Sequence, residues 1–167
     1  NYGTATESNA ILEMSPTGNF IITRSFLKFD FTSIPPNAVI TSAQLHLYNS
    51  GMPHTGNNRL EIARVVLAPS TSSWTESTII WNNQPGYTAV NMASIPVTPG
   101  PNDYFADVTA LTQDIIHSTA TGPNNEGYIL KLEHEGPNPG DVANTHIASN
   151  DFSNIMMRPE LVISYYV

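Results

Sequence analysis

The strongest constraint on the fold is an alternation of side chains between residues 24 and 48, interrupted by a turn at Pro35 and Pro36. Successive side chains of a β-strand point to opposite faces, so this alternation predicts two strands joined by a turn. The expected core faces comprise Ser25, Leu27, Phe29 and Phe31 in the first strand and Ala43, Leu45 and Leu47 in the second. The opposite faces carry Arg24, Phe26, Lys28 and Asp30 in the first and Gln44, His46 and Tyr48 in the second. These faces hold aromatic and cationic groups that a purely solvent-facing surface does not require.

The composition favours one β-rich domain. A chain of 167 residues is long enough for a single core, and its hydrophobic content of 40% excludes disorder throughout. Charged residues make up only 12%, against about 25% in an average protein. Asn, Ser and Thr replace them, and 13 Pro and 10 Gly separate the segments. Such a composition is typical of many short strands joined by polar turns, and we expect one domain over residues 1–167.

The net charge excludes several classes of partner. The chain carries a formal charge of −8 and only six Lys and Arg residues in total. Nucleic acid binding requires many basic residues to neutralise phosphates, and an anionic membrane surface has the same requirement. No apolar run approaches the roughly 20 residues of a membrane span. We therefore expect neither nucleic acid binding nor membrane insertion.

The location is predicted from the surface composition and from the first residue. There are no cysteines, which excludes disulfides and thiolate chemistry. An Asn- and Thr-rich, Lys-poor surface favours a secreted or cell-surface protein. The chain begins at Asn1 without an initiator Met, so we interpret it as a mature or excised chain whose targeting segment has been removed.

Short apolar runs bounded by turn signals predict an all-β fold, a jelly-roll β-sandwich. The predicted strands are 11–14, 20–31, 39–49, 60–67, 90–96, 104–108, 127–133, 145–148 and 160–166. One segment has helical spacing instead, because Val108, Leu111 and Ile115 lie at i, i+3 and i+7 after Asp107, a candidate N-cap. It predicts one short helix at about 108–117.

The segment from Trp74 to Pro85 differs from the rest, because two tryptophans bracket a polar run that ends in an amide-rich turn. Its Asn and Gln side chains can satisfy the backbone of a long loop. Trp74 and Trp81 could stack on sugars, but a Trp beside a long loop more often anchors that loop to the core.

In this order of motifs the chain resembles the DNRLRE-type domain, a bacterial and archaeal extracellular module grouped with carbohydrate-binding modules that include alginate binders. The matching residues span the whole chain: Asn1-Tyr2-Gly3-Thr4, Arg24, Leu27-Lys28-Phe29-Asp30, Ile34-Pro35-Pro36-Asn37-Ala38, Ile40-Thr41-Ser42-Ala43, Leu45-His46-Leu47-Tyr48, Trp74-Thr75-Glu76, Trp81-Asn82-Asn83-Gln84-Pro85, Asp107-Val108-Thr109, Gly127-Tyr128, Ser149-Asn150 and Arg158-Pro159-Glu160-Leu161.

The chain departs from that pattern in two ways. Such domains begin with a further strand ahead of the Asn-Tyr-Gly-Thr run, so the resemblance implies that the first strand is missing here. A sandwich without it would expose an edge that pairs with a strand from another chain. The scarcity of Lys and Arg, moreover, disfavours a polyanion such as alginate.

The candidate carbohydrate-binding residues are Arg24, Lys28, His46 and Tyr48, which we expect on one sheet face, with Lys131 joining them if its strand lies in the same sheet. Rings would stack on sugars while cations and amides bind hydroxyls or carboxylates. The alternative is a structural network in which Arg24 and Lys28 pair with Asp30, Glu61 or Glu133, since charges on a sheet face are commonly paired.

No catalytic or zinc arrangement is predicted, so we do not expect an enzyme. The five histidines lack the close spacing of metal ligands, and Glu133-His134-Glu135 is not accompanied by a predicted cleft. No cofactor is required. Asp103, Asp107, Asp141 and Asp151 supply the hard oxygen ligands that calcium prefers. They make a structural calcium ion a candidate on composition alone, since there is no EF-hand or repeat loop.

Two functions remain open from the sequence. The first is a non-catalytic module that binds a polysaccharide or cell-surface glycan through one sheet face. The second is a structural subunit of an extracellular filament, sheath or matrix, in which copies join head to tail by strand complementation. The apolar last strand, Leu161 to Val167, favours the second.

Overall fold

A computed structural model describes residues 4–67, 73–121, 125–136 and 142–167. The strands are β1 (Ile11–Met14), β2 (Phe20–Thr23), β3 (Ser25–Leu27), β4 (Val39–Leu47), β5 (Thr55–Gly56), β6 (Leu60–Val66), β7 (Gly86–Ile95), β8 (Tyr104–Asp107), β9 (Tyr128–Leu132), β10 (Ala143–Asn144) and β11 (Glu160–Tyr166). One α-helix, α1 (Thr109–Thr121), and two single 3-10 turns, Trp81–Asn83 and Ile155–Met157, complete the described part. The all-β prediction with one short helix is confirmed.

Three antiparallel sheets build the sandwich. Their strand orders are β2-β1-β10-β5, β11-β4-β8 and β3-β9-β6-β7. We call the second the β4 sheet and the third the β9 sheet. Strand β4 pairs with β11 from Glu160↔His46 to Tyr166↔Val39, and β9 lies between β3 and β6. The β9 sheet therefore has free edges at β3 and β7.

The main core lies between the β4 sheet and the β9 sheet. It contains the predicted residues Ala43, Leu45 and Leu47, which are fully buried, together with Leu130 and Leu132 of β9. A second, smaller apolar cluster covers the other face of the β9 sheet, where Phe26, Trp74 and Met92 pack on Ala63, Val65 and Ile129. Strand β9 is consequently buried on both faces.

The single strand predicted for residues 20–31 is wrong. The chain breaks at Arg24 into β2 and β3, which pair with different neighbours, β1 and β9. Phe31 and Leu27 are buried as expected, but β3 belongs to the β9 sheet and is not adjacent to β4. Alternation in the sequence identifies the faces of a strand and does not reveal a change of partner within it.

The helix follows the predicted position but is longer. It runs from Thr109 to Thr121, and Val108, Leu111 and Ile115 are all buried. Asp107 accepts hydrogen bonds from the backbone N–H of Thr109 at 2.9 Å and from its hydroxyl at 2.6 Å. These bonds satisfy the start of the helix and hold the pKa of the Asp107 carboxyl below its usual value.

Candidate functional site

The five predicted binding residues lie on two different surfaces. Arg24 and Lys28 flank β3 and Lys131 lies in β9, whereas His46 lies near the end of β4 and Tyr48 directly follows that strand. Lys131 alternates with core residues Leu130 and Leu132, and His46 alternates with Leu45 and Leu47, so both side chains point away from the core. The outer faces of a two-layer sandwich point in opposite directions. The five residues therefore cannot form one platform, and a role in binding stays a prediction for each surface separately.

The first surface is a cation–aromatic face formed by Arg24, Trp81, Tyr87 and Lys131. The guanidinium carbon of Arg24 lies 5.0 Å from the centroid of the Trp81 ring and 5.9 Å from that of Tyr87. Lys131 Nζ lies 5.9 Å from the same Tyr87 ring. Cations within about 6 Å of a ring face are attracted by its quadrupole, so the rings and cations hold one another in place.

Carboxylates neutralise each cation of this face. Arg24 donates to Glu135 in a bidentate pair, from Nε at 2.9 Å and from Nη2 at 2.6 Å, and also donates to the Gln84 amide oxygen at 3.2 Å. Hydrogen bonding to Glu135 raises the pKa of the guanidinium above its ordinary value. Lys131 donates to Glu61 at 2.5 Å and to the Leu132 carbonyl at 2.8 Å.

Lys28 lies apart from that cluster, at the base of the segment that begins with Trp74. Its ammonium group pairs with Glu126 at 3.2 Å and lies 4.9 Å from the Trp74 ring centroid. The structural alternative is thus correct in kind for Arg24 and Lys28, since both form ion pairs. Their partners are Glu135 and Glu126, which the sequence did not suggest.

The two tryptophans have different roles. Trp74 packs on Phe26 with ring centroids 5.5 Å apart and donates from its indole N–H to the Glu126 carbonyl at 2.9 Å. It anchors the loop, as predicted. Trp81 begins a 3-10 turn and is 51% exposed, so the part of its ring that Arg24 does not cover faces solvent.

Amide side chains hold the Trp81 turn, which was also expected. Asn83 accepts a hydrogen bond from the Ile80 backbone N–H at 2.6 Å and donates to the Thr78 carbonyl at 2.9 Å. Gln84 donates to the Trp81 carbonyl at 3.0 Å. These bonds fix the backbone of Trp81 although its side chain is half exposed.

The second surface is an aromatic row on the outside of the β4 sheet, formed by Tyr48, His46 and Phe105. The His46 ring lies 6.5 Å from Tyr48 and 4.8 Å from Phe105, edge to face in both cases. Glu160 of β11 reaches the row, with its carboxylate 3.3 Å from the Tyr48 hydroxyl and 3.8 Å from His46 Nδ1. Phe105 is 58% exposed.

Two of the exposed rings, Phe105 and Tyr87, were missed as candidates, whereas the sequence did identify Trp81 as a ring that could stack on sugars. The alternation of β8 signals Phe105, because its neighbours Tyr104 and Ala106 are buried and β8 pairs with β4 at His46↔Phe105. No comparable signal exists for Tyr87, since it precedes the strand that the sequence predicts.

The aspartates of the predicted calcium site lie in separate places. Asp103 precedes β8 and accepts from the Asn49 backbone N–H at 2.7 Å, while Asp107 ends the same strand. At about 3.3 Å per residue these two are roughly 13 Å apart along β8 and cannot share an ion. Asp151 lies between β10 and β11, and Asp141 falls outside the described residues. Within the described ranges no group of three or more His, Asp or Glu side chains could hold a metal, so calcium binding stays a prediction.

The acidic pair around His134 is engaged in ion pairs. Glu133 pairs with Arg59 at 3.3 Å, and Glu135 pairs with Arg24. Each carboxylate therefore has a cation of its own, which differs from two carboxylates that face each other across a substrate.

A β-sandwich that presents exposed aromatic rings beside hydrogen-bonding side chains on an outer face has the features of a sugar-binding module. The sequence profile of carbohydrate-binding module family 96 matches residues 1–165, so the chain belongs to that family. This match confirms the carbohydrate-binding part of the resemblance, while the narrower DNRLRE-type assignment stays a prediction. No protein of curated function matches the chain. In the described part of the chain, none of the helices has the length and apolar character that a membrane span requires.

Proposed function

We propose that the chain binds a polysaccharide or cell-surface glycan through the cation–aromatic face and catalyses no reaction on it. The observation that carries this proposal is the half-exposed indole of Trp81, held beside the Arg24 guanidinium. An aromatic ring offers an apolar face to the C–H side of a sugar ring. Arg24 and Gln84 place polar groups beside the two rings for sugar hydroxyls, while the buried Lys131 holds the Tyr87 ring from within the sheet.

The ligand that fits this face is an uncharged glycan. The cations Arg24, Lys28 and Lys131 are each paired with a carboxylate, so the surface has no net positive charge to attract a polyanion. An acidic polysaccharide would have to displace Glu135 or Glu61 from its cation. The hydroxyl groups of a neutral glycan can hydrogen-bond beside the existing ion pairs and do not have to displace either carboxylate.

Family membership and composition support a secreted or cell-surface location. Extracellular polysaccharides are the usual ligands of such modules, and the Lys-poor, Asn- and Thr-rich surface is in keeping with export. The measurement is immunodetection of the native protein in cell, surface-wash and medium fractions. Detection in the cell lysate alone would contradict the location.

Retention on neutral and acidic polysaccharide gels tests the binding face. We expect Trp81→Ala to weaken retention by about ten-fold or more, equivalent to ~1.4 kcal/mol, with little change in melting temperature. Phe105→Ala is the matched control, because it removes a similarly exposed ring from the opposite outer face. Equal loss in both variants, or loss only in Phe105→Ala, would assign binding away from the cation–aromatic face.

A second function, assembly of copies into an extracellular filament, sheath or matrix, is proposed from the free edges of the sheets. Strand β11 is the outermost strand of the β4 sheet, and β3 is the outermost strand of the β9 sheet. Unpaired strand edges are templates for another chain. Electron microscopy of the native material tests this proposal, and regular filaments are the expected result.

A further inference from the structure

A groove opens where one β-ladder divides into two. Strands β1 and β2 pair from Met14↔Phe20 to Ile11↔Thr23. Beyond that pair, residues 4–9 turn to run beside residues 145–149, while β3 turns to pair with β9. The Ser25 hydroxyl donates to the Asn9 carbonyl at 2.9 Å and marks the point of division. Residues 4–9 and 25–29 line the groove, which has a volume of about 1520 Å³.

Among the described residues, the first wall of this divided groove has backbone groups without a strand partner. Ser8 donates its N–H to the Ile147 carbonyl at 2.8 Å, and Ser149 donates to the Thr6 carbonyl at 2.9 Å. In an antiparallel ladder the residue between two such bonds directs its own N–H and C=O the other way. The backbone groups of Glu7 therefore point into the groove.

The second wall has the same property at Phe26. Val65 donates to the Gly127 carbonyl and Glu133 to the Arg59 carbonyl, both at 3.0 Å. These bonds fix the alternation between β6 and β9, so that Tyr128 and Leu130 direct their backbone groups toward β3. Their partners in the register are Leu27 and Ser25, and the N–H and C=O of Phe26 are left on the groove side.

The lining favours an uncharged strand as the occupant. Ile21, Ile80 and Trp81 line the groove and are 48%, 48% and 51% exposed. The cations Arg24 and Lys28 on the wall are already paired with Glu135 and Glu126. A groove larger than the usual 300–1,000 Å³ of small-molecule sites, with unpaired backbone groups on both walls, has the chemistry of a strand acceptor.

The same chain offers a matching strand. Strand β11 has seven residues, carries no charge after Glu160, and exposes Val162, Tyr165 and Tyr166 by 47%, 43% and 60%. Residues 4–9 span about 20 Å as a strand, which suits a donor of six or seven residues. Strand β7 is also a free edge, but Asn91 has a positive φ of 58° and the register shifts within the strand. Such irregularities turn an edge away from a partner.

We propose that the divided groove of one molecule receives the β11 edge of a second copy. This inference rests on the assembly proposal. Arg24 and Trp81 belong both to the groove and to the cation–aromatic face, so the two functions are separated by a variant at Tyr87, which lies outside the groove. Donor and acceptor are different surfaces of the same chain, so the contact is head to tail and can continue into a filament. The net charge of −8 opposes the approach of two copies, and added salt screens that repulsion.

Sedimentation velocity of the full chain over rising protein and salt concentration measures the assembly. We expect Ile80→Lys, which places a charge in the groove, to reduce the association constant by at least ten-fold. Met52→Lys is the matched control, because Met52 is 55% exposed and does not line the groove. A monomer under every condition, or assembly that Ile80→Lys leaves unchanged, overturns the inference.

Amide hydrogen exchange identifies the occupant. We expect the N–H groups of Glu7 and Phe26 to exchange rapidly in the monomer. In the assembled protein, the N–H on the wall that pairs with the single free edge of β11 should exchange at least ten-fold more slowly. Slow exchange in the monomer would show that the walls are already paired. Protection of both groups by polysaccharide, without assembly, would show that the groove binds glycan and would overturn the inference.

Cross-linking identifies the donor strand, since the chain has no cysteine of its own. A short thiol cross-linker should join Thr6→Cys to Ser164→Cys when the two proteins are mixed, and should not join Met52→Cys to Ser164→Cys. The opposite pattern overturns the role of β11. Tyr87→Ala, which alters the cation–aromatic face outside the groove, should weaken polysaccharide retention and leave assembly intact, so that the two proposals fail separately.

Discussion

Replacing Lys131 should destabilise the protein far more than replacing another cation of the same sheet. The Lys131 side chain is only 7% exposed, and its partner Glu61, 2.5 Å away, is 14% exposed. Lys131→Met leaves the Glu61 carboxylate buried without its cation. Breaking a buried pair in this way costs about 3–5 kcal/mol in the free energy of unfolding. At about 2–4 °C per kcal/mol for a chain of this size, the melting temperature should fall by roughly 6–20 °C.

The double variant Lys131→Met/Glu61→Leu should recover most of that loss. Both charges are then gone, and an apolar pair of similar volume is often as stable as the buried ion pair or more stable. Urea unfolding followed by tryptophan fluorescence measures the full cycle. Because the double variant is folded, its retention on a polysaccharide gel measures the contribution of Lys131 to binding.

Arg59→Met is the matched control for the charge change. Arg59 and its partner Glu133 are 42% and 47% exposed, and solvent screens such a pair to within about 1 kcal/mol. The reasoning is refuted if Lys131→Met costs no more than Arg59→Met. It is also refuted if the double variant loses the sum of the two single losses.

Three further predictions concern acid, a glycine and calcium. Stability should fall as the pH drops below about 6.5, because burial lowers the pKa of His54, whose Nδ1 accepts the His146 N–H and whose Nε2 donates to the Asn102 carbonyl. The unfolded chain therefore takes up the proton more readily, and melting temperatures at pH 7.5 and 5.5 in wild type and His54→Gln measure this loss. Gly127→Ala should lower the free energy of unfolding by about 1–3 kcal/mol or more, because Gly127 has a φ of +73° and an added Cβ would lie 2.0 Å from the Leu27 carbonyl oxygen. Urea unfolding measures this loss. Gly18→Ala is the control, because Gly18 also has a positive φ but its added Cβ meets no neighbour. If the aspartates bind calcium, adding the ion to chelator-treated protein should raise the melting temperature, and an unchanged melting temperature would count against the site.

Periodicity in the sequence predicted the faces of strands well and their partners poorly. Leu45 and Leu47 were assigned to the core from alternation alone, and both are fully buried. The same rule merged β2 and β3 into one strand, because Arg24 continues the alternation while the chain changes neighbours. Local pattern reports which way a side chain points, whereas pairing depends on segments that are distant in sequence.

The candidate site was predictable in its residue types and only partly in its arrangement. Arg24 and Lys131 do lie together, but His46 faces the opposite direction on the β4 sheet. The partner of Arg24, Glu135, is 111 residues away along the chain, and nothing local relates the two. Trp81 resembled Trp74 in the sequence, and only the packing of Phe26 on Trp74 distinguishes the anchor from the exposed ring.

The central position of β9 also determines when the β9 sheet can form during synthesis. Strand β9 joins β3 to β6, yet it follows β3 by about 100 residues, so neither neighbour is complete until β9 is made. At a synthesis rate of about 5–20 residues per second, β3 waits roughly 5–20 s for its partner. Pairings over such separations also fold slowly once the chain is complete. During that interval the edges of β3 and β6 that β9 joins stay unpaired, and unpaired strand edges are templates for association with other chains.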